Sequence, residues 1–155
     1  MSEEVIKQES YILRKATAED ETSIRELIWA VRINPLGLDW RRFVVAQAFD
    51  GQIIGCGQIK PHSDGTRELA SIAVTRGWRR RGIARAVIQR LMASQSGPYY
   101  LTCRARLGKL YVKFNFQRIE PADMPPYYRR IARLSGLLKS LKLLNEDLWV
   151  MRADN

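Results

Sequence analysis

The stretch Glu68–Leu91, ELASIAVTRGWRRRGIARAVIQRL, constrains this chain more than any other. Glu68–Val74 is apolar and partly β-branched, which is strand composition. From Ile83 onward, apolar residues recur at Ile83, Val87, Ile88 and Leu91, one face of a helix. Between them lies a basic turn, Arg76-Gly77-Trp78-Arg79-Arg80-Arg81-Gly82. A strand that turns into a helix builds an anion site, because the first N–H groups of the helix lack partners within it and its dipole favours negative charge there. Gly82 and the small Ala84 allow a ligand close to the backbone. Three consecutive arginines add forked donors suited to phosphate. No Gly-Lys-Ser/Thr follows, so this is not a Walker loop, and the triple glycine of a dinucleotide fingerprint is missing.

At 155 residues the chain is expected to form one domain, with residues 1–9 flexible. Cys56 and Cys103 form neither a disulfide framework nor a metal motif and read as small buried hydrophobes of a reducing compartment. No apolar run reaches the ~20 residues of a membrane span. Met1–Glu9 is polar, unlike a signal or transit peptide, so a cytoplasmic location is expected. The net charge of +10 gives a positive field open to nucleic acid, an anionic membrane, an acidic protein or a polyanionic cofactor.

Tyr11–Arg14 reads as a strand, and Thr17 or Asp20 can cap a helix to about Val31 with Ile24, Leu27 and Ile28 on its apolar face. Asn34-Pro35-Leu36-Gly37 breaks the pattern. Phe43–Phe49 and Ile53–Lys60 are strands joined by Asp50-Gly51, and Pro61–Thr66 turns into Glu68–Val74. His62 in that turn, the sole histidine, reads as solvated. Ser96-Gly97-Pro98 ends the long helix. Tyr99–Cys103 is a strand, Gly108–Phe114 a short helix, and Phe116–Ile119 and Leu148–Arg152 the last strands. Residues 120–146 form an insertion between those two. In it Met124-Pro125-Pro126-Tyr127-Tyr128 reads as an aromatic turn, followed by a basic amphipathic helix over Arg129–Leu144 interrupted at Ser135-Gly136. Packed on its own sheet, that helix would keep a solvated basic face; a lid and a membrane or acidic-partner contact are the alternatives. The fold class is α/β: a single mixed, mostly antiparallel twisted sheet flanked by helices.

Arg79, Gly82 and Ala84 fit the Arg/Gln-x-x-Gly-x-Gly/Ala motif, and Leu110-Tyr111-Val112-Lys113-Phe114-Asn115-Phe116 is similar to a Leu-Tyr-x-Lys-x-Gly-Phe segment. Both belong to the GNAT superfamily of N-acetyltransferases, which the chain resembles from about Tyr11 to Phe116, as a small bacterial or plastid-type member. The resemblance implies the GNAT (acyl-CoA N-acyltransferase) fold and acetyl-CoA as co-substrate, with no metal. It places the pantetheine arm on the backbone of Ile72, Ala73 and Val74, beside a bulge, and the pyrophosphate on Arg79, Arg80, Arg81, Gly82, Ile83, Ala84 and Arg85. Arg104, Leu110, Tyr111 and Lys113 complete the cofactor-binding set. It also implies Glu68 as the base that deprotonates the acceptor amine, whose reference pKa for a lysine is ~10.4. The N–H of Ala73 or Val74 then meets the oxyanion, and Tyr111 is the acid that protonates the leaving thiolate. Trp40 is a possible wall of the acceptor site, with core packing as the plainer reading.

Three departures bear on this. Arg104 stands where the family often has asparagine and cannot accept a hydrogen bond, Leu107 replaces a small residue, and Asn115 replaces a glycine but tolerates a left-handed conformation. The expected acceptor is a primary amine, a protein N-terminus or lysine rather than a small polyamine, which the positive field repels. No nucleic-acid partner is expected, and the chain is expected to be a monomer or homodimer. The rival reading is a non-catalytic CoA-binding module, or a basic nucleic-acid or membrane-surface module.

Overall fold

The structure, a computed structural model, describes residues 10–154. The expectation of a flexible segment over residues 1–9 lies outside the described residues. Seven strands, β1 (Tyr11–Lys15), β2 (Phe43–Ala48), β3 (Ile53–Pro61), β4 (Arg67–Val74), β5 (Tyr99–Arg104), β6 (Gln117–Arg118) and β7 (Leu148–Ala153), form one mixed sheet in the order β1-β2-β3-β4-β5-β7-β6. Among the described residues four α-helices, α1 (Glu21–Ala30), α2 (Ile83–Ala93), α3 (Gly108–Val112) and α4 (Pro126–Ser140), connect them. The β4–β5 pair is parallel, with Glu68 opposite Tyr100, while β1–β2, β2–β3, β5–β7 and β6–β7 are antiparallel. The mixed, mostly antiparallel sheet expected from the sequence is the one observed. The chain divides into two compact units, one reaching Lys60 and taking in Leu69–Gln95, the other made of Pro61–Glu68 and the chain from Ser96.

In the first unit, Thr17 and Asp20 both help start α1. Asp20 N–H donates to Thr17 O (3.0 Å), Thr17 N–H donates to Asp20 Oδ2 (2.7 Å), and Arg14 clamps both carboxylate oxygens at 2.7 and 2.9 Å. Ile24, Leu27 and Ile28 bury against Phe43, Val45, Ile53 and Cys56, with Trp40 packed at the edge of that core. The plainer reading of Trp40, as packing, is the one seen. Gly51, at φ +92°, turns β2 into β3. In β3, a Cβ at Gly57 would lie 2.5 Å from Ile72 Cδ1 and 2.9 Å from Val87 Cγ1, so glycine is what lets α2 approach the sheet.

In the second unit, Tyr99, Leu101, Phe116, Val150 and Met151 are buried along the strands. Gly108 lies against the Trp149 ring, where a Cβ would come within 2.3 Å of Cζ3. The insertion differs from its sequence reading. The helix begins at Pro126 rather than Arg129, runs unbroken through Ser135-Gly136 and ends at Ser140 rather than Leu144. Proline fits the first turn of a helix, where its missing N–H has no intrahelical role, so the aromatic pair starts the helix instead of preceding it. Glycine lowers helix propensity by only ~1 kcal/mol, too little to break a helix anchored on both sides.

Candidate active site

β4 does not keep the alternation of a plain strand. Ser71 has φ +58°, left-handed backbone in the strand interior, and Ala70, Ser71 and Ile72 are all half-buried. A left-handed residue there interrupts the pleat as a bulge does. Gln58, fully buried in β3, holds the irregularity: its Nε2 donates to Ser71 Oγ at 2.9 Å and to Gly37 O at 3.2 Å. Lys60 Nζ donates to Leu36 O at 2.9 Å, so β3 also fastens the 34–39 loop.

Past Val74 the chain makes a short 3-10 turn, Arg76–Trp78, and enters α2 through two left-handed residues, Arg80 (φ +64°) and Gly82 (φ +79°). Nothing lies within 4 Å of where a Gly82 Cβ would sit. The helix has no side-chain cap and no acidic residue in its first turn. Its leading N–H groups therefore face an open, glycine-lined approach. Arg81 stacks over the Trp78 ring at 4.6 Å, and Arg79 Nε donates to Val74 O at 3.4 Å. An uncapped helix start with Arg79, Arg80, Arg81 and Arg85 in the turn before it and in its first residues suits a polyphosphate. Ile72–Val74 and Arg79–Arg85 are thus brought into one continuous element of the first unit. A groove of about 460 Å³ between α1 and the Gly51–Ile53 turn also reaches Thr75, Arg76 and Arg79.

Glu68, Arg104, Leu110, Tyr111 and Lys113 belong to the second unit. Glu68, at the start of β4, has a side chain only 7% exposed. Its Oε1 lies 3.6 Å from His62 Nε2. The His62 imidazole is itself 13% exposed, so the reading of a solvated loop histidine is overturned. The physical reason lies in α4: Tyr127 stacks on the imidazole with centroids 3.7 Å apart, and Tyr128 meets it edge-on at 5.9 Å. Tyr128 stacks in turn on Tyr100, and Thr66 Oγ1 donates to its hydroxyl at 3.4 Å. Burial, with the Glu68 and Asp64 charges, holds the Tyr127 and Tyr128 hydroxyls above the ordinary tyrosine range. The sequence reading missed Tyr127 as a neighbour of this carboxylate, and its only signal was the Pro-Pro-Tyr-Tyr run.

Tyr111 sits in α3, edge-on to Phe116 at 6.2 Å. Burial, with a smaller push from Cys103, raises its hydroxyl to about 12, so it keeps its proton at neutral pH. Asn115 takes the left-handed conformation, φ +67°, and returns its N–H to Val112 O, so the turn survives without glycine. Arg104 ends β5 exposed, and Leu107, Leu110 and Lys113 are exposed as well. Cys56 and Cys103 are free and buried, with burial raising their thiols to about 12 and about 11. Among the described residues no cluster of three or more His, Cys, Asp or Glu side chains is placed to hold a metal ion, and no helix is long and apolar enough to cross a membrane.

Residues 39–118, just over half of the chain, match the acetyltransferase (GNAT) domain family. The chain belongs to the acetyltransferase (GNAT) domain family. None of the curated proteins is significantly similar to it in sequence. Among solved structures it is similar in fold to N-acetylglutamate synthase from Neisseria gonorrhoeae, solved with coenzyme A and N-acetyl-glutamate (TM-score 0.71, 18% identity), over 94% of this chain and 35% of that one. The chain thus spans about a third of the length of that synthase. It is also similar to Rv2747 from Mycobacterium tuberculosis, solved with CoA (0.68, 20%, covering 93% and 99%). A third similar fold is Ard1 from Thermoplasma volcanium (0.64, 13%, covering 92% and 96%).

Proposed function

We propose that this enzyme moves the acetyl group of acetyl-CoA to a primary amine. The observation that carries the reading is the start of α2: an uncapped helix terminus behind left-handed Gly82, preceded by an arginine-rich turn and by a strand whose pleat is interrupted at Ser71. Bound there, acetyl-CoA supplies an acetyl group already activated as a thioester. Arg79, Arg80, Arg81 and Arg85, with the N–H groups of Ile83 and Ala84, hold its phosphates. The backbone of Ile72, Ala73 and Val74 pairs with the pantetheine arm as an added strand would. The N–H of Ala73 or Val74 donates to the oxygen that gains negative charge during transfer. Glu68 takes a proton from the acceptor ammonium, and Tyr111, protonated through the neutral range, returns one to the departing thiolate.

The acceptor we assign is the amine of a peptide or protein, an N-terminus or a lysine, because the net charge of +10 repels small polycations. An amino-acid α-amine is the second reading, favoured by the likeness in fold to N-acetylglutamate synthase. Thiol release is to be followed during titration with acetyl-CoA across a panel of N-terminal peptides, lysine peptides, free amino acids and polyamines. Saturable turnover on peptides supports the assignment. Turnover confined to free amino acids moves the acceptor to the second reading. Binding without turnover on any member supports the rival of a CoA-binding module.

A further inference from the structure

The segment from Pro126 to Leu144 carries five cations, six leucines and no acidic residue. Its inner face is occupied: Tyr128 is fully buried, and Ala132 and Tyr127 pack against the same cluster as Tyr100 and Val150. Of the apolar residues at helical spacing that would form a packed stripe, Ile131 and Leu138 are half-buried, while Leu134, Leu141 and Leu144 are exposed, and Leu137 and Leu143 are exposed beside them. Leu134 is 57% exposed, Leu137 55%, Leu141 60% and Leu143 67%. At about 100° per residue, Arg130, Arg133, Leu134, Leu137 and Leu141 fall within an arc of about 100°, so cations and leucines share the outward face. The turn that follows is closed rather than frayed: Leu143 N–H donates to Leu138 O at 2.8 Å around left-handed Lys142 (φ +58°). Arg129 is used internally on Met124 O and Lys139 on Asp147. Among the described residues no carboxylate pairs with Arg130, Arg133 or Lys142.

We propose that this face docks on the surface of an anionic lipid bilayer. Exposed leucines interspersed with cations are the composition of an interfacial helix, which sinks its apolar side chains to the acyl boundary and keeps its charges among the headgroups. The charge argues for lipid over a second copy of the chain, since a two-fold contact would set these cations against themselves. It also fits a fluid, planar layer that needs no shape matched to leucines spread over a helix and a turn.

The test is sedimentation of the whole protein with vesicles of phosphatidylcholine alone or with about 30% phosphatidylglycerol, where partitioning onto the anionic vesicles is expected to exceed the other by more than about tenfold and to fall with salt. The double variant Leu137→Glu/Leu141→Glu is expected to lose that binding by about tenfold or more while keeping its melting temperature, both sites being exposed. Arg130→Glu/Arg133→Glu is expected to lose it as well. Failure to sediment with anionic vesicles overturns the proposal. So does binding that the leucine pair leaves unchanged, or equal and leucine-independent binding to soluble polyglutamate, which marks an acidic protein as the partner. A dimer that the leucine pair dissociates, without lipid binding, assigns the face to a second copy.

Discussion

Glu68 Oε1 lies 3.6 Å from His62 Nε2, and both side chains are almost wholly buried. The pair joins the start of a strand to the turn before it, and Tyr127 fixes the imidazole by stacking on it. A carboxylate assigned as the base is thereby held by a neighbour that itself has little room to move. If Glu68 takes the amine proton, Glu68→Gln lowers kcat by roughly 10²–10⁴-fold. His62→Ala acts on the same group indirectly and is expected to lower kcat by about ten- to a hundredfold, the scale on which a misplaced group costs rate. Steady-state kinetics beside a melting curve separates this from misfolding, and a fully active Glu68→Gln would remove the base assignment.

Tyr111→Phe keeps the ring against Phe116 and deletes only the hydroxyl, so folding is expected to be unchanged and kcat to fall roughly a hundredfold. The Tyr111 hydroxyl is held at about 12 by burial, and the acid must be protonated to act. Activity lost on the alkaline side below that value therefore belongs to another group. The alkaline limb of the pH–rate profile is expected to coincide in wild type and Tyr111→Phe.

At the start of α2, Arg79→Ala and Arg81→Ala are each expected to raise KM for acetyl-CoA by about tenfold with kcat little changed, the scale of one charge-assisted hydrogen bond. Raising ionic strength should have the same sense in the wild type and a smaller effect in the variants. Gly82→Val meets no atom nearby, so its cost comes from forcing a branched side chain to φ +79°, on the order of 1–2 kcal/mol. An unchanged KM in both arginine variants would move the phosphate site elsewhere.

Asp20 accepts from Arg14 and from the Thr17 N–H, and the Arg14 guanidinium above all holds its carboxyl below the usual carboxylate range. A depressed folded-state value means the stabilisation is present above the unfolded pKa of ~3.9 and is lost as pH falls through the folded one. Asp20→Asn is expected to destabilise the fold by about 1–3 kcal/mol at neutral pH. Its melting temperature should converge on that of the wild type as the pH drops below about 4. A gap that stays constant down to acid pH would show that shape, not charge, is what Asp20 contributes.

Much of this protein was legible locally. Strand starts at Tyr11, Phe43, Ile53 and Tyr99 follow from apolar runs bounded by turn residues a few positions away. The strand, basic turn and uncapped helix start around Gly82 follow one another without a break, so that local geometry was legible from one stretch of backbone. At Asn115, which stands where the resembled motif has glycine, asparagine's tolerance of the left-handed region was enough to expect the turn that is found.

What sequence could not supply were the relations between residues far apart in the chain. His62 looked solvated because nothing near it in sequence is large and apolar; Tyr127, more than sixty positions on, is what covers it. The amphipathic pattern over Arg129–Leu144 read as a helix packed on its own sheet, because helical spacing reports which residues share a face, not whether that face meets anything. Only the tertiary structure, which buries Tyr128 and leaves Leu134, Leu137 and Leu141 in solvent, decided that question. The periodicity of one segment is set by its own backbone geometry, whereas burial is set by what the rest of the chain brings against it.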